Sequence, residues 1–304
     1  MDRRTQLPQE LIDKILENLE VMDGSIDRWT LRPCSLVCSS WVHSTRRRLF
    51  RRIVLLPPYD GGFRTYGKRL HILLLRSPHI ATYIQELRLY EGQFDKGEAW
   101  IGSDQSLPLA LGLLKDLKRI ELRRLRWNLF PLALRQSIQD VLALPTLRFL
   151  EMERSEFASL DNFSNLLSHA KGLTSLSLRE INTHHRFYGP LSLEGSSQGK
   201  EAKDQEVYAH RTHLLELHLT WMTNGYSQFD GWLFGPQSQL DLSHIQTLHI
   251  GDVFMSGVHT VNRLLHAIGS TLKHFKLGLP WTGQCESSQS ISIFDFSRCI
   301  SSHS

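Results

Sequence analysis

Between Ile84 and Leu277 a phrase of the form Leu-x-x-Leu-x-Leu occurs seven times, and this recurrence constrains the fold of the 304-residue chain more than any other feature. It reads Ile84-Gln-Glu-Leu87-Arg-Leu89, Leu117-Lys-Arg-Ile120-Glu-Leu122, Leu147-Arg-Phe-Leu150-Glu-Met152 and Leu173-Thr-Ser-Leu176-Ser-Leu178. It continues as Leu214-Leu-Glu-Leu217-His-Leu219, Ile245-Gln-Thr-Leu248-His-Ile250 and Leu272-Lys-His-Phe275-Lys-Leu277. First positions follow one another at 33, 30, 26, 41, 31 and 27 residues. Self-similarity at such a period points to one short parallel strand per phrase, with alternate apolar residues inward, followed by a return segment. Positions one, four and six should face the core; three, five and seven should face the opposite side. Helical returns are expected at Lys68–Arg76, Arg135–Leu144, Leu160–His169 and Val258–Ile268.

The phrase and its period resemble those of leucine-rich repeats, though the spacing lies at or above the upper end of that range. The family pattern carries Asn or Cys nine residues after the first Leu. Only Asn182 fits, whereas Gln93, Arg126, Glu156, Thr223, Phe254 and Trp281 occupy the other six positions. What this implies for residues 57–304 is an irregular α/β leucine-rich-repeat solenoid with parallel strands on its concave face. The long interval contains 189–206, rich in Gly, Ser, Lys, Glu and Gln, which reads as a solvated loop insertion. Ile291–Phe296 looks like the start of a further phrase.

The first 56 residues have a different texture. Leu7, Leu11, Ile12, Ile15, Leu16 and Leu19 fall on one stripe of a helix that starts at Pro8 and ends before Gly24. A second helical pattern runs from Pro33 to Phe50, with Leu36, Val37, Cys38, Trp41, Val42 and Leu49 as apolar members, and 27–31 can supply short turns between them. About 50 residues cannot build a large core, so the surplus apolar surface calls for a partner. Leu7-Pro8-Gln9-Glu10-Leu11-Ile12, Ile15-Leu16, Leu19, Cys34-Ser35-Leu36-Val37-Cys38-Ser39-Ser40-Trp41 and Leu49-Phe50-Arg51-Arg52-Ile53 together resemble an F-box domain, in a form similar to the F-box proteins expanded in fungi. The resemblance implies a small all-α F-box head over 1–56 that docks on the Skp-type adaptor of a cullin-RING ubiquitin ligase. It assigns adaptor binding to Leu7, Pro8, Leu11, Ile15, Leu16, Leu19, Leu36, Val37 and Trp41. The function implied is that of a non-catalytic substrate receptor, the repeats holding an unknown protein target; the alternative is an interaction scaffold with no part in ubiquitination.

Composition narrows the remaining classes. Hydrophobic residues make up 41% and charged residues 22%, which is globular material rather than a disordered chain. The opening MDRRTQLPQE is charged where a secretory signal would be apolar, and the longest apolar runs fall far short of the ~20 residues that span a bilayer. An intracellular protein without a membrane segment is therefore expected, in the cytoplasm, the nucleus or both. Four cysteines do not make a disulfide framework. Thirty-five basic against 31 acidic residues do not by themselves indicate nucleic acid, and no homo-oligomer is expected. The run Arg46-Arg47-Arg48-Leu49-Phe50-Arg51-Arg52 reads as a helix end with splayed arginines rather than a nucleic-acid patch.

No nucleophile elbow, P-loop, zincin or dinucleotide motif occurs, so neither catalytic residues nor a cofactor are expected. Cys34 and Cys38 lie four apart with no matching pair, and the histidines His184, His185, His210, His213 and His218 lack thiolate partners, so no metal is expected. Across the first three phrases opposite charges should meet: Glu86 with Arg119, Arg88 with Glu121, Arg123 with Glu153. Later phrases lack that matching. His218 and His249 should be neighbours with Lys276 in their row and His274 diagonal, bordered by Trp221 and Trp281. These six residues form the candidate target surface, suited to an acidic or phosphorylated segment.

Overall fold

The computed structural model describes residues 7–19, 28–57, 66–92, 100–183, 211–220, 226–235, 238–251, 253 and 257–278. Three helices open the chain, α1 (Gln9–Asn18), α2 (Arg28–Cys34) and α3 (Ser39–Arg51), and the last passes without a linker into β1 (Arg52–Leu55). There follow α4 (Tyr66–Arg76), β2 (Glu86–Tyr90), α5 (Trp100–Ser103), α6 (Leu107–Leu111), β3 (Arg119–Arg123), α7 (Leu132–Leu142), β4 (Phe149–Glu153), β5 (Glu156–Phe157), α8 (Leu160–Leu167), β6 (Ser175–Arg179) and β7 (Asn182–Thr183). The remaining elements are β8 (Thr212–His213), β9 (Glu216–Thr220), α9 (Tyr226–Leu233), β10 (Leu240–Asp241), β11 (Thr247–Gly251), α10 (Val258–Ile268) and β12 (His274–Leu277).

Eight strands form one parallel sheet in the order β1-β2-β3-β4-β6-β9-β11-β12. Each Leu-x-x-Leu-x-Leu phrase supplies one of them, because its alternation suits a strand with one face on a core. The expected small all-α F-box head followed by an irregular leucine-rich-repeat solenoid is corrected by this finding. The molecule is an α/β fold on one large parallel sheet, and residues assigned to the head provide its edge: Arg52 pairs with Glu86 and Leu55 with Leu89. The segment Phe50-Arg51-Arg52-Ile53-Val54-Leu55 has the spacing of the other phrases with Phe50 in the leading place, but the helical pattern up to Phe50 and the F-box resemblance up to Ile53 mask it in the sequence. Nor are the return segments of one kind; they range from the 4-residue α5 and 5-residue α6 to the 11-residue α4, α7 and α10.

The core lies between the sheet and these helices. Leu87, Leu89, Ile120, Leu122, Leu176, Leu178, Leu217, Leu219, Leu248 and Ile250 are fully buried with Leu74, Ile138, Phe163 and Leu264 from the helices. Aromatic rings continue the packing along the return segments: Trp127, Phe157, Phe163 and Trp232 follow one another at centroid distances of 6.1, 5.2 and 5.2 Å. The residue after β3, β4 and β6 turns left-handed, with φ of 56° at Arg124, 51° at Arg154 and 50° at Glu180, and Gly92 after β2 does the same at 106°. These turns swing the chain out of the sheet, and just beyond them β5 and β7 pair in a second, two-stranded layer.

The N-terminal helices have their own small apolar cluster. Ile12, Leu16 and Leu31 are fully buried, with Leu19, Cys34, Trp41 and Leu49 packed around them. The expected second helix over Pro33–Phe50 is broken: α2 ends at Cys34, 35–37 form a turn, and α3 begins after an extended Cys38 with φ −163° and ψ 170°. Cys38 is consequently exposed and does not share a helix face with Cys34.

Candidate functional site

On α1 the apolar residues occupy two adjacent stripes. At 100° per residue, Ile12, Leu16 and Leu19 cluster on one side, and Leu7, Leu11 and Ile15 lie beside them. The first stripe is spent on the cluster with Leu31; the second is left in solvent, with Leu7 50%, Leu11 48% and Ile15 40% exposed. Pro8 is exposed at the helix start. The turn between α2 and α3 places Leu36 at 86% and Val37 at 64% exposure, because neither belongs to a helix that could fold it inward. Of the nine residues assigned to adaptor binding, six are therefore presented at the surface. Leu16 is buried, while Leu19 and Trp41 pack against it, so these three shape the surface from beneath. Gln9 Nε2 donates to Ser44 Oγ at 2.7 Å and Arg48 donates to the Asp13 carbonyl at 3.0 Å, which fixes α1 against α3.

The polar face of the sheet divides into two halves. Towards β1, arginines and glutamates interlock. Arg88 lies 2.7 Å from Glu121, and Arg119 bridges Glu121 at 3.0 Å and Glu151 at 2.9 Å. Arg123 reaches Glu121 and Glu151 at 3.5 Å and Glu153 at 3.4 Å. The expected pairings of Arg88 with Glu121 and Arg123 with Glu153 are found. Glu86 stands in register with Arg119 but pairs instead with Arg52 at 2.6 Å, since β1 brings a closer cation.

Towards β12 the charges thin out. His218 stands opposite His249, and His249 opposite Lys276, with His274 opposite Thr247. The two imidazoles meet edge to face with centroids 5.4 Å apart. Partial burial holds both below the usual histidine range. Arg179 opposes protonation of His218 while Glu216 and Glu151 favour it, and for His249 the neighbouring His218, Lys276 and Arg179 all add to the depression. His274 and Lys276 are exposed. Trp221 and Trp281 lie outside the described residues, as do 184–210 and Ile291–Phe296.

A second histidine cluster, His213 with Asp241 and His244, is assembled only by the fold. In the sequence His213 stands beside His210 and His218, which is where a ligand search looks first. The pairing of β8 with β10, 28 residues apart, leaves no local signal. No protein-family model matches the sequence, and no curated protein matches it. Among the described residues, no helix is long and apolar enough to cross a membrane.

Proposed function

We propose that this chain is a non-catalytic substrate receptor of a cullin-RING ubiquitin ligase. Its N-terminal helices dock on the Skp-type adaptor, and the β9–β12 end of its sheet holds a protein target. The observation that carries this reading is the stripe Leu7, Leu11 and Ile15, together with Leu36 and Val37, left exposed on a helical unit whose own cluster uses only the neighbouring stripe. Exposed apolar side chains in such number on so small a unit mark a surface built to be covered. The F-box resemblance supplies the class of partner. The target reading rests on the row of His218, His249 and Lys276, which has no acidic residue in register across the strands, unlike the arginines around Glu121.

Co-expression of the full chain with a Skp-type adaptor tests the first half. The parent should co-purify, and a Leu11→Ala/Ile15→Ala variant should lose about 2 kcal/mol or more of binding, read by calorimetry, with unchanged circular dichroism. Equal binding by the variant refutes the assigned surface. A His218→Ala/His249→Ala/Lys276→Ala variant should keep the adaptor and lose targets captured by proximity labelling. Recovery of captured targets in ubiquitinated form separates a receptor from a scaffold.

A further inference from the structure

Three side chains outside both proposed surfaces converge beside the two-stranded sheet of β8 and β10. Parallel pairing puts Asp241 opposite His213. His213 Nδ1 lies 2.8 Å from Asp241 Oδ2, and His244 Nε2, from the turn after β10, lies 3.7 Å from the same oxygen. The imidazole rings are 5.2 Å apart at 71°. One ligand atom from each of the three residues lies within 4.8 Å of the others. The carboxylate is oriented from behind: its other oxygen, Oδ1, accepts from Ser243 N–H at 2.9 Å and Ser243 O–H at 2.6 Å. Oδ2 is thereby turned to both imidazoles. The imidazoles are open to solvent, so an ion has a path in.

We propose that His213, Asp241 and His244 form a binding site for a divalent transition-metal ion of the zinc class. Two imidazoles and one carboxylate suit Zn²⁺, Co²⁺ or Ni²⁺, whereas Mg²⁺ and Ca²⁺ select all-oxygen sets. Bonds of about 2.0–2.2 Å in a tetrahedron place ligand atoms roughly 3.4 Å apart, and the 2.8 and 3.7 Å separations to Asp241 Oδ2 bracket that value. Small side-chain rotations suffice to admit the ion. Coordination through Nδ1 requires the His213 tautomer whose proton sits on Nε2, so the ion replaces the His213–Asp241 hydrogen bond. Ser243 supplies the outer hydrogen bonds that ligating carboxylates commonly receive. The fourth position faces water. Bound there, the ion fastens β8 to the turn after β10 and so secures both ends of the connection around β9 and α9.

The test titrates the metal-stripped full chain with Zn²⁺ by calorimetry and with Co²⁺ by visible absorption. One ion per chain should bind saturably, with the intense d–d bands of a four-coordinate Co²⁺ site, and Zn²⁺ should raise the thermal midpoint. His213→Ala and His244→Ala should abolish these responses, and Ser243→Ala should weaken affinity about tenfold or more. Circular dichroism of the metal-free variants should match the parent; His244, exposed in a turn, gives the variant least able to disturb folding. His218→Ala/His249→Ala should bind as the parent does. Absence of saturable binding, its survival in His244→Ala, or its loss in His218→Ala/His249→Ala overturns the assignment.

Discussion

His218 and His249 face each other across β9 and β11 where each is partly withdrawn from water, and the price of that position is paid on protonation. Their folded-state values lie below the unfolded value of about 6.5. A depressed histidine contributes stability that is present above the unfolded value and is lost as pH falls through the folded one. The parent should therefore lose stability as pH falls below about 6.5 more steeply than His218→Ala/His249→Ala does in urea unfolding. Proton NMR should show both imidazoles titrating below pH 6.5. The same depression keeps this end of the sheet less positive near neutrality than a count of histidines suggests. The histidine neighbours were legible in the sequence, since strand alternation and in-register pairing fix which residues adjoin. Burial was not: Leu16 and Leu11 belong to one apolar pattern on α1, and only the position of Leu31 decides which of them is covered.

Between strands, the decisive residue is Glu121. Its side chain is 1% exposed and meets Arg88, Arg119 and Arg123 from three sides. Attraction in such a place is strong but offset by desolvation, so the cluster contributes less than its distances suggest; removing one member is costly because it leaves buried charge unanswered. Glu121→Ala leaves arginines that are partly hydrated, two of them still beside Glu151, and should destabilise by about 1.5–3 kcal/mol in urea unfolding. Glu153→Ala, which removes an acid at the rim of the cluster from beside Arg123, should cost at most about 1 kcal/mol. Equal effects would show that the ladder is merely a solvated charged face. Elements bearing strong periodicity were legible close to their true limits: 258–268 is α10 as expected, and 68–76 became α4 at 66–76. The break at 35–38 was not, because the apolar pattern from Pro33 runs through it and the extended backbone of Cys38 has no side-chain signature. The pairs β5–β7 and β8–β10 are two residues long; β5 and β7 follow the left-handed turns at Arg154 and Glu180, β8 and β10 lie just ahead of β9 and β11, and no local window contains both partners of either pair.

At the scale of the molecule, two apolar clusters are joined by a continuous backbone. The N-terminal cluster has three fully buried residues, Ile12, Leu16 and Leu31, whereas the other cluster runs along the eight-stranded sheet from β1 to β11. Phe50 and Ile53 already pack with the sheet, so the division falls within the last turn of α3. Across it runs the contact of His43 Nδ1 with the Tyr83 hydroxyl at 3.3 Å, and at its border lies the Arg51–Glu86 ion pair. Such links are polar and partly hydrated, and they transmit little of the stability of the larger core. The N-terminal helices should therefore open locally at lower free energy than the sheet. Leu16→Ala deletes one of three central side chains and should cost about 2–5 kcal/mol within that unit. Amide exchange in α1, α2 and α3 should accelerate to near the unprotected rate while protection persists at Leu87, Leu122 and Leu217. Leu217→Ala is the reverse case. It sits between Leu176 and Leu248 in register on adjacent strands, all fully buried, so a similar loss should spread through the sheet and lower protection from β4 to β11. A Leu16→Ala chain whose sheet amides exchange as fast as its helix amides would show one cooperative unit, and the proposed adaptor surface would then be tied to the integrity of the whole fold.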